Sequence, residues 1–159
     1  MISLPDLSDQ HSDQIQIGKL ALQSFGGMHS ISGEIYTVSC SDDNSVVKDI
    51  LSRKGKHKVL VIDASGVAHA SMIGDQIAAS AVKNNWAGIV VNGYVRDVEE
   101  LKNFPIGIFA KGAVAQKTNK KNHGFEDVLV AFGSVVMTSG KWIYIDQNGW
   151  VIADNNLEL

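Results

Sequence analysis

The run KVLVID, Lys58–Asp63, narrows the folds open to this chain more than any other stretch. It is apolar without alternation and closes on an acid. A strand that is hydrophobic on both sides belongs in the middle of a covered sheet, so the run predicts a central strand with helices over both faces. The residues around it keep a strand–helix–strand rhythm. Ser32–Cys40, SGEIYTVSC, alternates and is rich in β-branched and aromatic residues, which predicts a strand. Asp43 or Asn44 then stands where it can cap a helix through Val46, Val47, Ile50 and Leu51, and Gly55 ends that helix. Gly74-Asp75 precede a second helix with Ile77, Ala78, Ala81 and Val82 inward, and Trp86-Ala87-Gly88 lead into a strand at Ile89–Asn92. Val98–Leu101 begins a short acidic helix or turn, and Ile106–Ala110 is another strand. The pattern predicts right-handed crossovers in a parallel or mixed sheet.

The ends of the chain differ from this middle. The opening to Gln14 is polar, a turn or short helix. Gln16–Phe25, with Ile17, Leu20, Ala21 and Leu22, reads as a short surface or interface element that Gly26-Gly27 break. Lys117–Gly124, KTNKKNHG, reads as a polar loop and a candidate for mobility. Three strand-like pieces follow, EDVLVAFG, SVVMTSG and KWIYIDQNGWVIA, the last with a hairpin turn at Asn148-Gly149. The expectation is one α/β domain over residues 1–159 with a β-rich C-terminal third.

Composition removes several functions. A formal net charge of -3 argues against direct nucleic acid binding, because a phosphate backbone calls for a basic surface. The basic run Arg53–Lys58 reads as a solvated turn feeding a strand. Cys40 is the only cysteine, which excludes an intrachain disulfide and a Cys-rich zinc site. At the end of a strand it reads as a buried or half-buried thiol. No apolar run reaches the roughly 18 residues of a membrane span, and MISLPDLSDQ lacks the basic-then-apolar order of a secretory leader. A cytoplasmic protein without membrane contact is expected.

Two places carry the candidate chemistry. At Gly74-Asp75-Gln76-Ile77 a helix begins, and its first amides attract an anion. A substrate carboxylate on the N–H groups of Gln76 and Ile77 is one reading; Asp75 satisfying those amides itself is the other. At Arg96-Asp97 a strand leaves the sheet, where α/β proteins place ligands. Arginine offers a fork for a carboxylate and aspartate a hard ligand for a divalent cation. Neighbouring residues on an extended chain point apart, so both serve one site only if the chain turns, which Gly93 permits nearby. The alternative is a surface ion pair, with Asp97 capping the turn at Val98. Asp63 stands near the same face or bonds the following Ala64-Ser65-Gly66 turn. His69 and His123 read as loop histidines. Ser65 lacks a hydrolase nucleophile frame, and no dinucleotide or Walker fingerprint occurs.

Over nearly its whole length the chain resembles the regulator of ribonuclease activity A family, which also contains 4-hydroxy-4-methyl-2-oxoglutarate aldolases with oxaloacetate decarboxylase activity. The anchors are FGG at Phe25, SGEIYTV, VLVID, the block GDQIAASAVKNNWAGIVVNGYVRDVEEL, and IYIDQNGWVIA. The resemblance implies an α/β/β swivelling fold, assembled as a homotrimer or a dimer of trimers, with the active site between neighbouring subunits. It implies that Gly74, Asp75, Gln76 and Ile77 bind a small 2-keto acid, that Arg96 binds its oxygens, and that Asp97 holds magnesium or manganese. Asp75 would orient a water. The chain has the length of the ribonuclease-regulator branch, yet it keeps Asp97. Met28 stands where the family carries an arginine, and Glu126, Asp127 and Glu158 are the candidates for a family glutamate. Two functions follow from the resemblance: a metal-dependent, pyruvate-releasing lyase, and a protein-binding inhibitor of an RNA-degrading endoribonuclease.

Overall fold

The computed structural model describes residues 1–158; Leu159 lies outside them. A short helix α1 (Leu4–Gln10) precedes edge strands β1 (Ile15–Ile17) and β2 (Gln23–Ser24). The long strand β3 (Ile31–Ser39) leads to helix α2 (Ser45–Leu51), and β4 (Val59–Asp63) leads to β5 (Ser71–Ile73). Helix α3 (Asp75–Lys83), strand β6 (Gly88–Val95), the single turn α4 (Val98–Leu101) and β7 (Gly107–Ala113) complete the α/β part. The last third is all strand: β8 (Phe125–Glu126), β9 (Val130–Phe132), β10 (Val135–Met137), β11 (Trp142–Asp146) and β12 (Gly149–Ala153).

The large sheet runs β1-β12-β11-β3-β4-β6-β7-β2, with β5 alongside β6 and β8 alongside β3. Its centre is parallel, β3 to β4 to β6 to β7, and both flanks are antiparallel. The expected mixed sheet is therefore observed. So is the hairpin near Asn148, where Asp146 and Gly149 pair across the β11–β12 turn.

One expectation is corrected. Helices cover a single face of β4, not both. Leu60 and Ile62 pack with Val47, Ile50, Leu51, Ile77, Ala78 and Ala81 of α2 and α3. Val59 and Val61, on the opposite face, pack with strand residues such as Val130, Val135, Met137, Ile143 and Trp150. The continuous apolar run demanded burial on both faces; a second β layer supplies it as well as helices would. The segment at Gly26-Gly27 is held closely too: Phe25 and Gly27 donate backbone hydrogen bonds to Ile108 and Phe104. A Cβ on Gly26 would meet the Ile106 carbonyl oxygen at 2.1 Å, so this glycine serves the approach of two backbones.

Parallel strands at the centre place several chain exits at one end. The segments after β3, β5, β6 and β7 all leave from the carboxyl ends of parallel strands, the usual ligand edge of an open α/β sheet. Because Leu60 is fully buried under α2 and α3, Leu60→Ala should cost about 2–5 kcal/mol. Urea unfolding of the variant checks this, with the midpoint falling and the slope unchanged.

Candidate functional site

A cavity of about 270 Å³ opens at that edge, and Gly74, Asp75, Arg96 and Asp97 line it together with Asn44 and Lys120. The two motifs singled out from the sequence thus meet. The device that joins them is a turn at Asp97 itself, which has the left-handed backbone φ 57, ψ 42. Gly93 is not the turn: it stays within β6, where a Cβ would meet Ala64 Cβ at 3.0 Å. Aspartate is one of the few side chains that visit the left-handed region readily. The turn sends the Asp97 carboxylate back across the sheet edge, where its Oδ2 accepts the Asp75 amide at 2.9 Å. Its main-chain carbonyl, meanwhile, accepts the amides of Glu100 and Leu101 and starts α4. The expected side-chain cap on α4 is absent, because that carboxylate caps α3 instead.

Gly74 makes this cross-cap fit. It is the N-cap of α3 and has no side chain to offer, and a Cβ there would meet Asp97 Oδ2 at 2.8 Å. Of the first α3 amides, Asp75 N–H goes to Asp97 and Gln76 N–H goes to Asp75 Oδ1 at 2.8 Å. Asp75 thus takes one of the amides in question and not the pair. Ile77 lies next in the same wall of the cavity. Arg96 is half-buried and reaches the Ala115 carbonyl with Nη1 at 3.4 Å, at the weak end of hydrogen bonding. Its fork is thus only lightly held and can close on an anion.

The opposite wall was not foreseen. Lys117–Gly124 is pinned to the corner between β3 and α2. Asn44, buried, donates from Nδ2 to the Met72 carbonyl at 3.0 Å. Its Oδ1 accepts Thr118 Oγ1 and Lys120 Nζ, each at 2.7 Å. Asp43, also buried, accepts the backbone amides of Lys121 at 2.8 Å and His123 at 2.9 Å. It caps α2 as well, through Ser45 N–H and Oγ. Burial alone would raise the Asp43 carboxyl, but the Ser45 hydroxyl and the surrounding amides outweigh it and hold its pKa well below the usual carboxylate range. Lys120 is pushed the other way: burial of the ammonium first, then Lys48, lower its pKa, with smaller contributions from Lys117 and Arg96, against an opposing pull from Asp43. Polar loop residues between two strands carry no periodic signal. The sequence clue was the Asp-Asp-Asn triplet, three short hydrogen-bonding side chains where one cap suffices.

Other candidates fall outside the cavity lining. Asp63 Oδ1 accepts Ser65 N–H at 3.0 Å and Asn92 Nδ2 at 2.9 Å, which is the turn-bonding role. Cys40 is buried and, chiefly by that burial and then by Asp63, its thiol is pushed up to about 12; it is no nucleophile near neutrality. His69 faces Asp42 at 3.4 Å. Glu126 pairs with Arg53 at 2.9 Å and accepts Tyr36 Oη, Asp127 occupies a left-handed turn, and Glu158 lies near the N-terminal amine at 3.9 Å. None of these acids reaches Arg96. Met28 lines a different depression, beside Met1 and Trp86.

Among the described residues no three His, Cys, Asp or Glu side chains converge. A zinc-type cage is therefore not formed by the described residues of this chain alone; magnesium and manganese need only one or two carboxylates, with water and substrate oxygens in the remaining positions. A carboxylate has about four lone-pair sites, so the Asp75 amide leaves Asp97 room for a cation.

Fold and cavity together define an α/β/β protein with a cation-rich cavity at the carboxyl ends of its parallel strands. The family model described as RraA-like, Aldolase/RraA, matches residues 4–152, and the chain belongs to that family. It is 40% identical over 154 residues to a putative 4-hydroxy-4-methyl-2-oxoglutarate aldolase of Shewanella oneidensis, covering 97% of this chain and 94% of that one. Among solved structures, it is similar to a Geobacillus kaustophilus protein described as an S-adenosylmethionine:2-dimethylmenaquinone methyltransferase, at TM-score 0.96 and 35% identity, covering 98% and 97% of the two chains. It is also similar to the RNA-processing inhibitor RraA from Thermus thermophilis, at TM-score 0.93 and 31% identity, covering 98% and 94%. No described helix is long and apolar enough to cross a membrane.

Asp43 makes stability depend on pH with a definite sign. Its folded pKa is depressed, so its contribution is complete above the unfolded carboxylate value of about 3.9 and is lost as pH falls through the folded value. Melting temperature should fall on acidification below about pH 4, and Asp43→Asn should be less stable at pH 7 with a flatter acid limb. Parallel melting curves for the two proteins would contradict this. Gly74→Ala should keep the fold, because the atom it crowds is the end of a side chain, yet displace the Asp97 carboxylate. Calorimetric titration with manganese should show weaker binding than wild type.

Proposed function

We propose that the protein is a divalent-metal-dependent lyase that releases pyruvate from 2-keto acids, 4-hydroxy-4-methyl-2-oxoglutarate and oxaloacetate among them. The observation that carries this reading is the junction of Gly74-Asp75 with Arg96-Asp97 in one cavity. The identity to aldolase-named relatives supports it.

The residues divide the work as follows. The α3 start, Gly74 to Ile77, receives the substrate carboxylate next to the 2-keto group, with Ile77 N–H nearest to being free. Arg96 forks onto the substrate oxygens and stabilises the oxyanion that grows at C2. Asp97 would hold magnesium or manganese, which would supply Lewis acidity to the developing enolate. In oxaloacetate the C3–C4 bond breaks, its electron pair passes into the C2 enolate, carbon dioxide leaves, and C3 then takes a proton to give pyruvate. In the aldol substrate the C4 hydroxyl loses its proton, C3–C4 breaks, and C4 becomes the ketone of a second pyruvate. That reaction needs a base at the outset. Asp75, beside the reacting end of the cavity, is placed to orient a water for it.

The reading includes assembly into a homotrimer, or a dimer of trimers, with the cavity at the seam. Phe125 and Leu129 support it: they stand 69% and 62% exposed just beyond the lysine segment. Light scattering should give a mass of three or six chains; a monomer at micromolar concentration would contradict it.

A second reading is favoured by the likeness to the Thermus RNA-processing inhibitor. On this reading the same ring binds an RNA-degrading endoribonuclease and slows it, with the acidic balance suited to a basic protein segment rather than RNA. Unchanged RNA cleavage at saturating protein would reject it. For the lyase, purified protein should release pyruvate from oxaloacetate and 4-hydroxy-4-methyl-2-oxoglutarate with magnesium or manganese and not after chelation. Asp97→Asn keeps an aspartate-sized side chain that tolerates φ 57 and should lose activity by about a hundredfold or more. No metal-stimulated turnover on either substrate would sink the lyase reading.

A further inference from the structure

The cavity has more positive charge than a 2-keto carboxylate needs. Lys48, Lys117 and Lys120 line it in addition to Arg96, in a chain whose net charge is -3. Only Asp75 and Asp97 oppose them among the lining residues. Like charges gathered in a cleft repel one another and are relieved by an anion. The lysine side of the cleft is also built rather than casual. Lys120 Nζ gives one hydrogen bond to Asn44 Oδ1; an ammonium has three donors, so two remain for a ligand. Asn44 is itself buried and fixed by the Met72 carbonyl and by Thr118. Asp43 holds the chain on the far side of Lys120 by the amides of Lys121 and His123.

We propose that Asp43 and Asn44 are positioning residues that hold the 117–123 segment so that Lys120, with Lys117 and Lys48, binds the distal carboxylate of a 2-keto dicarboxylic acid. The proposal rests on the keto-acid reading of the same cavity. It makes the site selective: a monocarboxylic keto acid fills the Arg96 side only, whereas a dicarboxylic acid spans both walls. It also has a consequence for the reaction. A carboxylate that must leave as uncharged carbon dioxide is held back by a cation on it, whereas a carboxylate that is retained is not. The lysine wall therefore favours aldol cleavage of a dicarboxylic substrate over decarboxylation of oxaloacetate.

The test is calorimetric binding, with magnesium present, of pyruvate and of 2-oxoglutarate, a dicarboxylic keto acid that is neither an aldol nor a β-keto acid. Wild type should bind 2-oxoglutarate more tightly. Lys120→Ala should weaken 2-oxoglutarate about tenfold or more and leave pyruvate within about twofold. It should also lower the ratio of aldol cleavage to decarboxylation. Asn44→Ala should lose the same preference although Lys120 is intact. Where Asn44→Ala does not fold, Thr118→Val should show a smaller loss in the same direction. Equal weakening of both ligands by Lys120→Ala, or no weakening of either, overturns the distal-carboxylate wall. A preference retained in Asn44→Ala overturns the positioning role. Wild type that binds both acids equally overturns this proposal alone, and wild type that binds neither overturns the keto-acid reading with it.

Discussion

The hydrogen bond from the Asp75 amide to Asp97 Oδ2, 2.9 Å long, ties the site to the fold. It joins the exit of β6 to the start of α3, beside the Arg96 amide that donates to the Ile73 carbonyl. It needs a left-handed residue at the strand exit, so that the carboxylate can turn back. It needs a helix N-cap without a side chain, so that the carboxylate can arrive. Asp97 and Gly74 meet those needs, and neither could be exchanged for an ordinary residue without moving the other. The same bond neutralises part of the helix's positive end with a charge that remains usable by a cation. A structural cap and the proposed metal ligand are thus one side chain.

Around that bond the cavity has two unlike walls. One is short-range: helix amides, Arg96 and the carboxylates of Asp75 and Asp97, at the ends of parallel strands. The other is a loop wall, Lys117 to Lys120, made firm by buried acceptors from the β3–α2 corner. The aspartates and the asparagine there do more than start a helix. Asp43 caps α2, while Asn44, at the N-cap position, makes no side-chain cap hydrogen bond. Its amide reaches across to the neighbouring strand and to the loop instead. Capping and loop anchoring are divided between adjacent residues.

Much of this was legible in the sequence, and the reasons are particular. KVLVID had to be a central strand because an unbroken apolar run needs cover on both faces, and it is; what the run could not say is whether helices or strands provide the cover. Gly74-Asp75 and Arg96-Asp97 stood out as a helix start and a strand exit, and they share one cavity. The turn between Arg96 and Asp97 was assigned to the nearby glycine because glycine is the usual residue at positive φ; aspartate took that place, with its side chain bonded elsewhere. Lys120 carries no signal in the sequence because a polar loop has no period to read, and Asn44 reads there only as a candidate helix cap, because a long-range hydrogen bond such as 44 to 120 leaves no local trace. The closing β-rich third was visible as strands but not as the layer that buries Val59 and Val61.

The proposed lyase rests on the Gly74-Asp75 and Arg96-Asp97 junction turning a 2-keto acid into its enolate with the help of a divalent cation. Exchange of the pyruvate methyl protons for deuterium, followed by proton NMR in heavy water, tests it without reference to any leaving group. Exchange should run well above the buffer rate with magnesium or manganese present and be abolished by chelation and by Asp97→Asn. Exchange no faster than metal in buffer alone, from protein that is folded and loaded with metal, would contradict it.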